Sequence, residues 1–150
     1  MTTLNLGVID APYSYGEGQT TVEVARILED KYGLMGVFFK LHRKGISEEL
    51  AKGVAKALRA RIQSGSSAPA DETFTAFGTA QAMAKTRTMF SDFISKQEAE
   101  RAGIPGTPTA AALRGVNHRL KHPYAKANSR RPSFRDTGTY ESHFQAWVTK

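Results

Sequence analysis

GISEELAKGVAKALRARI, residues 45–62, sets Ile46, Leu50, Val54, Leu58 and Ile62 at intervals of four. Residues four apart lie on neighbouring turns of a helix face, whereas a half-buried strand alternates every second residue. The spacing predicts an amphipathic helix. Ser47, Glu48 and Glu49 suit its start, where acids complement the helix dipole, and Gly45 separates it from the preceding chain. Upstream, Leu34, Met35, Val37, Phe38, Phe39 and Leu41 form a dense apolar block. Its length fits a buried helix or a strand, and helix is favoured. Thr20 and Glu23 have the form of a capping box, and Val24, Ile27, Leu28 and Tyr32 follow at helical spacing until Gly33 stops the turn. A first helix is expected over Thr21–Tyr32. Residues 1–19 hold Pro12, three glycines, Tyr13 and Tyr15 with no helical period, and are expected to form an extended arm.

Downstream, SGSSAPADE at 64–72 is small, polar and proline-bearing, as in a surface connection or hinge. From Phe74 to about Arg101, Phe77, Met83, Phe90, Phe93 and Ile94 recur at helical spacing, and Gly103-Ile104-Pro105-Gly106 ends that element. These Met and Phe positions suit a core. Thr107-Pro108-Thr109 opens a short helix through Ala110, Ala111, Ala112, Leu113 and Val116, ending near Leu120. On it Arg114 and His118 share a face, as do His118 and His122 if the helix extends that far. Residues 121–135, KHPYAKANSRRPSFR, form a proline-interrupted loop with Tyr124 and Phe134 as its large apolar anchors. In the last dozen residues Tyr140, Phe144, Trp147 and Val148 fit a helical stripe, while Tyr140, Phe144 and Val148 also fit a strand period.

The chain has 150 residues, 40% of them apolar and 23% charged, which suits one globular domain with a modest core. The expected class is mainly α, with α+β open: amphipathic helices around a small core (20–101), the N-terminal arm (1–19), and a basic loop with an aromatic C-terminal segment (102–150). Cysteine is absent, which excludes disulfides and thiolate chemistry. No apolar run approaches a membrane span, and the first residues lack the order of a signal peptide, so a soluble, non-exported protein is expected. The net charge of +7 is concentrated. Arg101, Arg114, Arg119, Lys121, Lys126, Arg130, Arg131 and Arg135 fall in one stretch without an acid, and the remainder is near neutral. Such a patch points to an anionic partner, either nucleic acid or an acidic protein surface.

Asp136-Thr137-Gly138 is the tripeptide that carries the catalytic carboxylate of aspartic proteases. Those enzymes need apolar strand residues before the Asp and a second carboxylate to share a proton, and Arg131 to Arg135 break that context. A turn that caps the terminal element is expected instead. His118 and His122 have the spacing of a metal pair, but no further Cys, acid or His pair completes four ligands. Gly16-Glu17-Gly18 lacks the third glycine, strand and lysine of a phosphate loop. No catalytic, metal or cofactor-binding residue is expected.

The C-terminal third, IPGTPTAAALRGVNHRLKHPYAKANSRRPSFRDTGTYESHFQAWV, resembles a family of virion structural proteins of tailed bacteriophages, of the neck or tail-completion (head-to-tail joining) type. The resemblance lies at Ile104-Pro105-Gly106, Arg114 to Ala125, Arg131 to Phe134, Asp136 to Gly138 and Phe144 to Val148, and more loosely at KYGLMGVFF, residues 31–39. It implies assembly in the host cytoplasm into a virion, as a ring-shaped homo-oligomer of six- or twelvefold symmetry contacting neck, portal-proximal or tail subunits, with weak contact to packaged DNA and none to membrane. A basic, sparsely anchored loop is costly to order alone, so neighbouring subunits are expected to hold it. The expected interface residues are Arg114, His118, Arg119, Lys121, His122, Tyr124, Arg130, Arg131, Phe134, Arg135, Tyr140, Phe144 and Trp147, with the aromatics as buried anchors and the arm laid along a neighbour. The alternative is a nucleic-acid-binding module, in which the same cations neutralise phosphates.

Overall fold

The computed structural model describes residues 3–13, 18–65, 72–116 and 128–149, with the backbone alone for 72–77. The elements in chain order are β1 (Thr3–Val8), α1 (Thr21–Tyr32), α2 (Leu34–Gln63), α3 (Glu72–Ser95), α4 (Glu98–Arg101), α5 (Ala110–Leu113), α6 (Thr139–Ser142) and β2 (Phe144–Thr149). The fold is mainly α with one two-stranded antiparallel sheet.

Helix α1 has the expected bounds, and its capping box closes in both directions. The Glu23 N–H donates to the Thr20 hydroxyl at 3.4 Å, and the Thr20 N–H donates to the Glu23 carboxylate at 3.1 Å. Gly33 ends the helix in the left-handed conformation. The next helix starts at once, and Glu29 reaches across the junction to accept the N–H groups of Met35 and Gly36 at 2.7 and 3.3 Å. A carboxylate there satisfies two donors that the first turn of α2 cannot pair, at the positive end of its dipole. Thr21, fully buried, donates its hydroxyl to the Ile9 carbonyl at 2.6 Å and accepts the Ala11 N–H at 2.9 Å. The end of β1 is thereby fastened to the start of α1.

The apolar block and the four-spaced stripe form one 30-residue helix, so Gly45 does not separate two elements and Ser47 to Glu49 lie inside α2. A glycine inside a helix is only about 1 kcal/mol worse than alanine, which long flanks of good helix formers offset. A β-carbon at Gly45 would lie 3.5 Å from the Met89 methyl, so the site is also filled by packing. The expected helix over 74–101 is divided instead. Gln97, at φ 59, turns the chain between α3 and α4.

The N-terminal arm is extended as expected, but it lies on its own chain. Its strand pairs with β2 in the register Leu4↔Val148, Leu6↔Ala146, Val8↔Phe144. The C-terminal segment resolves into a single turn, α6, followed by a strand. Phe144, Ala146 and Val148 face inward while Trp147 faces out.

The core is aromatic. Phe38 of α2, Phe90 and Phe93 of α3 and Phe144 of β2 are each buried. Phe90 and Phe144 stack at 3.9 Å with 11° between planes, and Phe38 meets Phe90 edge-on at 5.1 Å. Leu34, Ile46, Met83, Ile94, Ile104 and Tyr140 complete the cluster.

Further along the α2–α3 pair the backbones themselves touch. A β-carbon at Gly53 would fall 1.9 Å from the carbonyl oxygen of Gly78. Gly53→Ala must therefore push the helices apart, and a destabilisation of about 1–3 kcal/mol is expected. Thermal denaturation checks this, with the midpoint falling roughly 2–4 °C per kcal/mol for a chain of this size.

Candidate functional site

Two regions emerge: the basic C-terminal segment expected to meet partners, and a face of α2 that was not.

The basic segment is tied to its own chain wherever it is described. Helix α5 is a single turn, capped by the Thr109 hydroxyl accepting the Ala112 N–H at 3.2 Å. It stops short of Val116, because Gly115 turns the chain at φ 60. A β-carbon at Gly115 would sit 2.1 Å from the Ser129 carbonyl oxygen, so the returning strand of the loop requires glycine there. Arg114 is the C-cap residue of α5, and the expected face shared by Arg114 and His118 falls outside the described residues.

Glu100 of α4 is the anchor of the returning loop. Its Oε1 accepts the Ser133 N–H at 3.0 Å and the Ser133 hydroxyl at 2.8 Å, and its Oε2 receives the Arg130 guanidinium. Ser133, itself buried, accepts the Thr109 N–H at 3.0 Å. Burial pushes the Glu100 carboxyl up, but the two Ser133 hydrogen bonds and Arg130 outweigh it and hold the group below its usual range.

Arg131 acts as a second brace. Its guanidinium donates to the Val116 carbonyl at 3.0 Å and to the Arg135 carbonyl, while its own N–H bonds the Ala112 carbonyl. Arg135 pairs with Glu141 at 3.5 Å, and Arg101 donates to the Lys96 carbonyl. These arginines hold the chain's own carbonyls and carboxylates, with the Arg130 and Arg135 side chains still about half exposed.

The aromatic anchors are corrected in the same way. Tyr140 and Phe144, 4% and 1% exposed, are core residues of this chain, because α6 and β2 fold back onto α3. Phe134, at φ 68, meets Tyr32 of α1 edge-on at 4.9 Å. Trp147 alone of these is open, at 44% exposure, with its ring lying over Gly7 of β1. His118, Arg119, Lys121, His122 and Tyr124, with Lys126, fall outside the described residues.

Between α1 and the loop lies a groove of about 440 Å³ lined by Leu28, Tyr32, Phe134, Asp136 and Tyr140 among others. The Tyr140 hydroxyl is itself buried without a hydrogen-bond partner, and burial raises its pKa above the usual tyrosine value, so it stays protonated. Asp136-Thr137-Gly138 forms a turn on the groove wall. The Thr139 N–H donates to the Thr137 hydroxyl at 3.3 Å, and Gly138 takes the position before α6 at φ 80. Among the described residues no group of three or more His, Asp or Glu converges as a metal site requires, and no helix is long and apolar enough to cross a membrane.

The unexpected surface is the distal half of α2, where Ala57 is the one buried residue beyond Ile46. Val54, Leu58 and Ile62 are 44%, 49% and 69% exposed. Lys52 and Lys56 turn to another side of the helix, where they line a groove with Gln81 and Lys85 of α3, and residues 50–65 contain no acid. Lys52 leans back to Glu49 at 2.8 Å, which Lys85 also approaches at 3.2 Å. The spacing itself carried a signal for this exposure. Each step of four residues turns about 40° beyond a full helical turn, so the stripe from Ile46 to Ile62 winds roughly 160° around the helix. One buried face cannot hold all five.

Comparison with protein-family models, with characterised proteins and with solved structures gives no match to this chain.

The Glu100 anchor makes a pH prediction. Its folded-state pKa is depressed, so its contribution is present above the unfolded value of about 4.3 and is lost as pH falls through the lower folded value. Glu100→Gln should cost on the order of 1–2 kcal/mol at neutral pH in denaturant unfolding. The gap between parent and variant should close as pH is lowered from neutrality to about 3. A gap independent of pH would show that the carboxylate charge contributes nothing.

Proposed function

We propose that the chain is a structural subunit of a tailed-bacteriophage particle, at the neck, the head-to-tail junction or the tail, acting by assembly with other virion proteins and not by catalysis. The observation that carries assembly is the open α2 face. Three large apolar side chains on successive turns, with only one buried neighbour in that half of the helix, make a surface of the kind that packs against another polypeptide. The virion setting rests on the resemblance of the C-terminal third. Its residues serve here as the brace that closes the fold: Ser133 on Glu100, Arg131 on Val116, Phe144 on Phe90.

A ring-shaped homo-oligomer assembled in the host cytoplasm and meeting neck, portal-proximal or tail subunits fits this role. Nucleic-acid binding by the basic segment is the weaker role, because Arg130, Arg131 and Arg135 already have partners within the chain. Cryo-EM of purified particles, supported by immunogold labelling, is the test. The chain should appear as a symmetric ring in mature virions, and its absence from them would discard the proposal. Titration against DNA at two ionic strengths should give weak binding. Tight binding with a steep salt slope, together with absence from particles, would select the nucleic-acid role instead.

A further inference from the structure

The two-stranded sheet carries an open edge on β1. The Ile9 N–H donates to the His143 carbonyl at 2.9 Å, so these residues form a hydrogen-bonded pair just past the last strand pair, Val8↔Phe144. Antiparallel pairing alternates, so Gly7, Asn5 and Thr3 also turn their main-chain groups towards β2, while Leu4, Leu6 and Val8 turn theirs away from it. Among the described residues the outward N–H and C=O groups of these three bond no other element.

Of the two strands, β1 is the less covered. Helix α3 lies against β2, where Phe90 stacks on Phe144 and Arg87 donates to the Gln145 side chain at 3.1 Å. Phe144 and Ala146 are 1% and 6% exposed, whereas their cross-strand partners Val8 and Leu6 are only half-buried, as is Leu4. Exposed edges are ordinarily blunted by a charge, a proline or a bulge. TLNLGV, residues 3–8, has neither charge nor proline, and its register with β2 runs unbroken from Thr3 to Val8.

We infer that β1 pairs with β1 of a second copy, antiparallel about a twofold axis at Leu6, so that Leu4 faces the partner's Val8 and the two ribbons become one four-stranded sheet. The free donors and acceptors of a strand edge are met by another extended strand, and every copy brings one with the same spacing reversed. About six main-chain hydrogen bonds close, and the apolar row Leu4, Leu6, Val8 of each copy covers that of the other. Charge does not oppose the contact. The nearest charged side chain along the chain is Asp10, and the two copies of it stand roughly 27 Å apart at 3.4 Å per residue. The contact is isologous and closes at two copies, so it rests on the sheet alone and is additional to the ring proposed above.

Sedimentation velocity on the full chain should show a monomer–dimer equilibrium that shifts with concentration. Leu6→Pro removes one outward donor from each copy and leaves every bond between β1 and β2, whereas Leu6→Ala shortens the same side chain and keeps the donor. Circular dichroism checks both folds. The proline variant should dimerise at least about tenfold more weakly than the alanine variant, because each dimer loses two hydrogen bonds. A second measurement decides the matter even where the proline variant fails to fold. The chain has no cysteine, so Thr3→Cys takes a single spin label at the exposed start of β1. Antiparallel pairing about Leu6 sets the two labelled positions roughly 20 Å apart along the strands, and parallel pairing would set them about 5 Å apart. Dipolar EPR should read the longer separation. A parent that stays monomeric, proline and alanine variants that dimerise alike, or a label distance outside roughly 15–30 Å would each overturn the pairing. Absence of the chain from virions would remove the virion role and leave this contact standing.

Discussion

Phe144 stacked on Phe90, with Phe38 set edge-on against both, joins three parts of the chain: α2, the second half of α3 and the C-terminal strand. The whole arrangement depends on that cluster. A two-stranded ribbon is marginal in water, and β1 with β2 persists because its inward side chains lie on the helical pair. Offset and edge-on aromatic packing adds about 0.5–1.5 kcal/mol per pair beyond the area it buries. The cluster also explains why the N-terminal arm is not free. Once Phe144 is fixed, the inward row Phe144, Ala146, Val148 presents a strand edge, and Leu4, Leu6 and Val8 complete it.

The same constraint defines where the fold stops. The aromatic residues occupy the first half of α2 and the second half of α3, and the C-terminal strand packs on them there. At Gly53 and Gly78 the two helices touch backbone to backbone, and beyond Gly53 only Ala57 of α2 is buried among the described residues. A helix pair that outruns its core keeps its geometry through backbone hydrogen bonds and close approach. Its outer apolar residues are left to solvent or to a partner. Val54, Leu58 and Ile62 are that remainder.

Local chemistry was legible in the sequence where it was self-contained. Thr20, Glu23 and Gly33 specify both ends of α1 through contacts made within a few residues, and the structure reproduces them. Long-range chemistry was less legible. Leu4, Leu6 and Val8 alternate with period two, but a lone strand gains meaning only from its partner more than a hundred residues later. Gly45 looked like a boundary because glycine is a poor helix former, yet the penalty is small beside the tertiary packing on either side. The aromatic C-terminus fitted both periods because it contains both elements, α6 and then β2. The four-residue stripe predicts an amphipathic helix, and its drift around the helix is what separates buried Ile46 from exposed Ile62.

The basic segment illustrates a different limit. Eight cations without an acid between them look like an open patch when charge is counted along the chain. The compensating acids stand just outside the stretch, Glu100 immediately before it and Glu141 six residues after it, and folding brings them in. Backbone carbonyls do the rest, since an arginine fork can satisfy several at once, as Arg131 does for Val116 and Arg135. Such a network braces the described part of the segment, while the distal half of α2 is the least covered helix among the described residues. The described arginines of the charge cluster brace the fold, and the less conspicuous apolar stripe of α2 lies beyond the reach of the aromatic core.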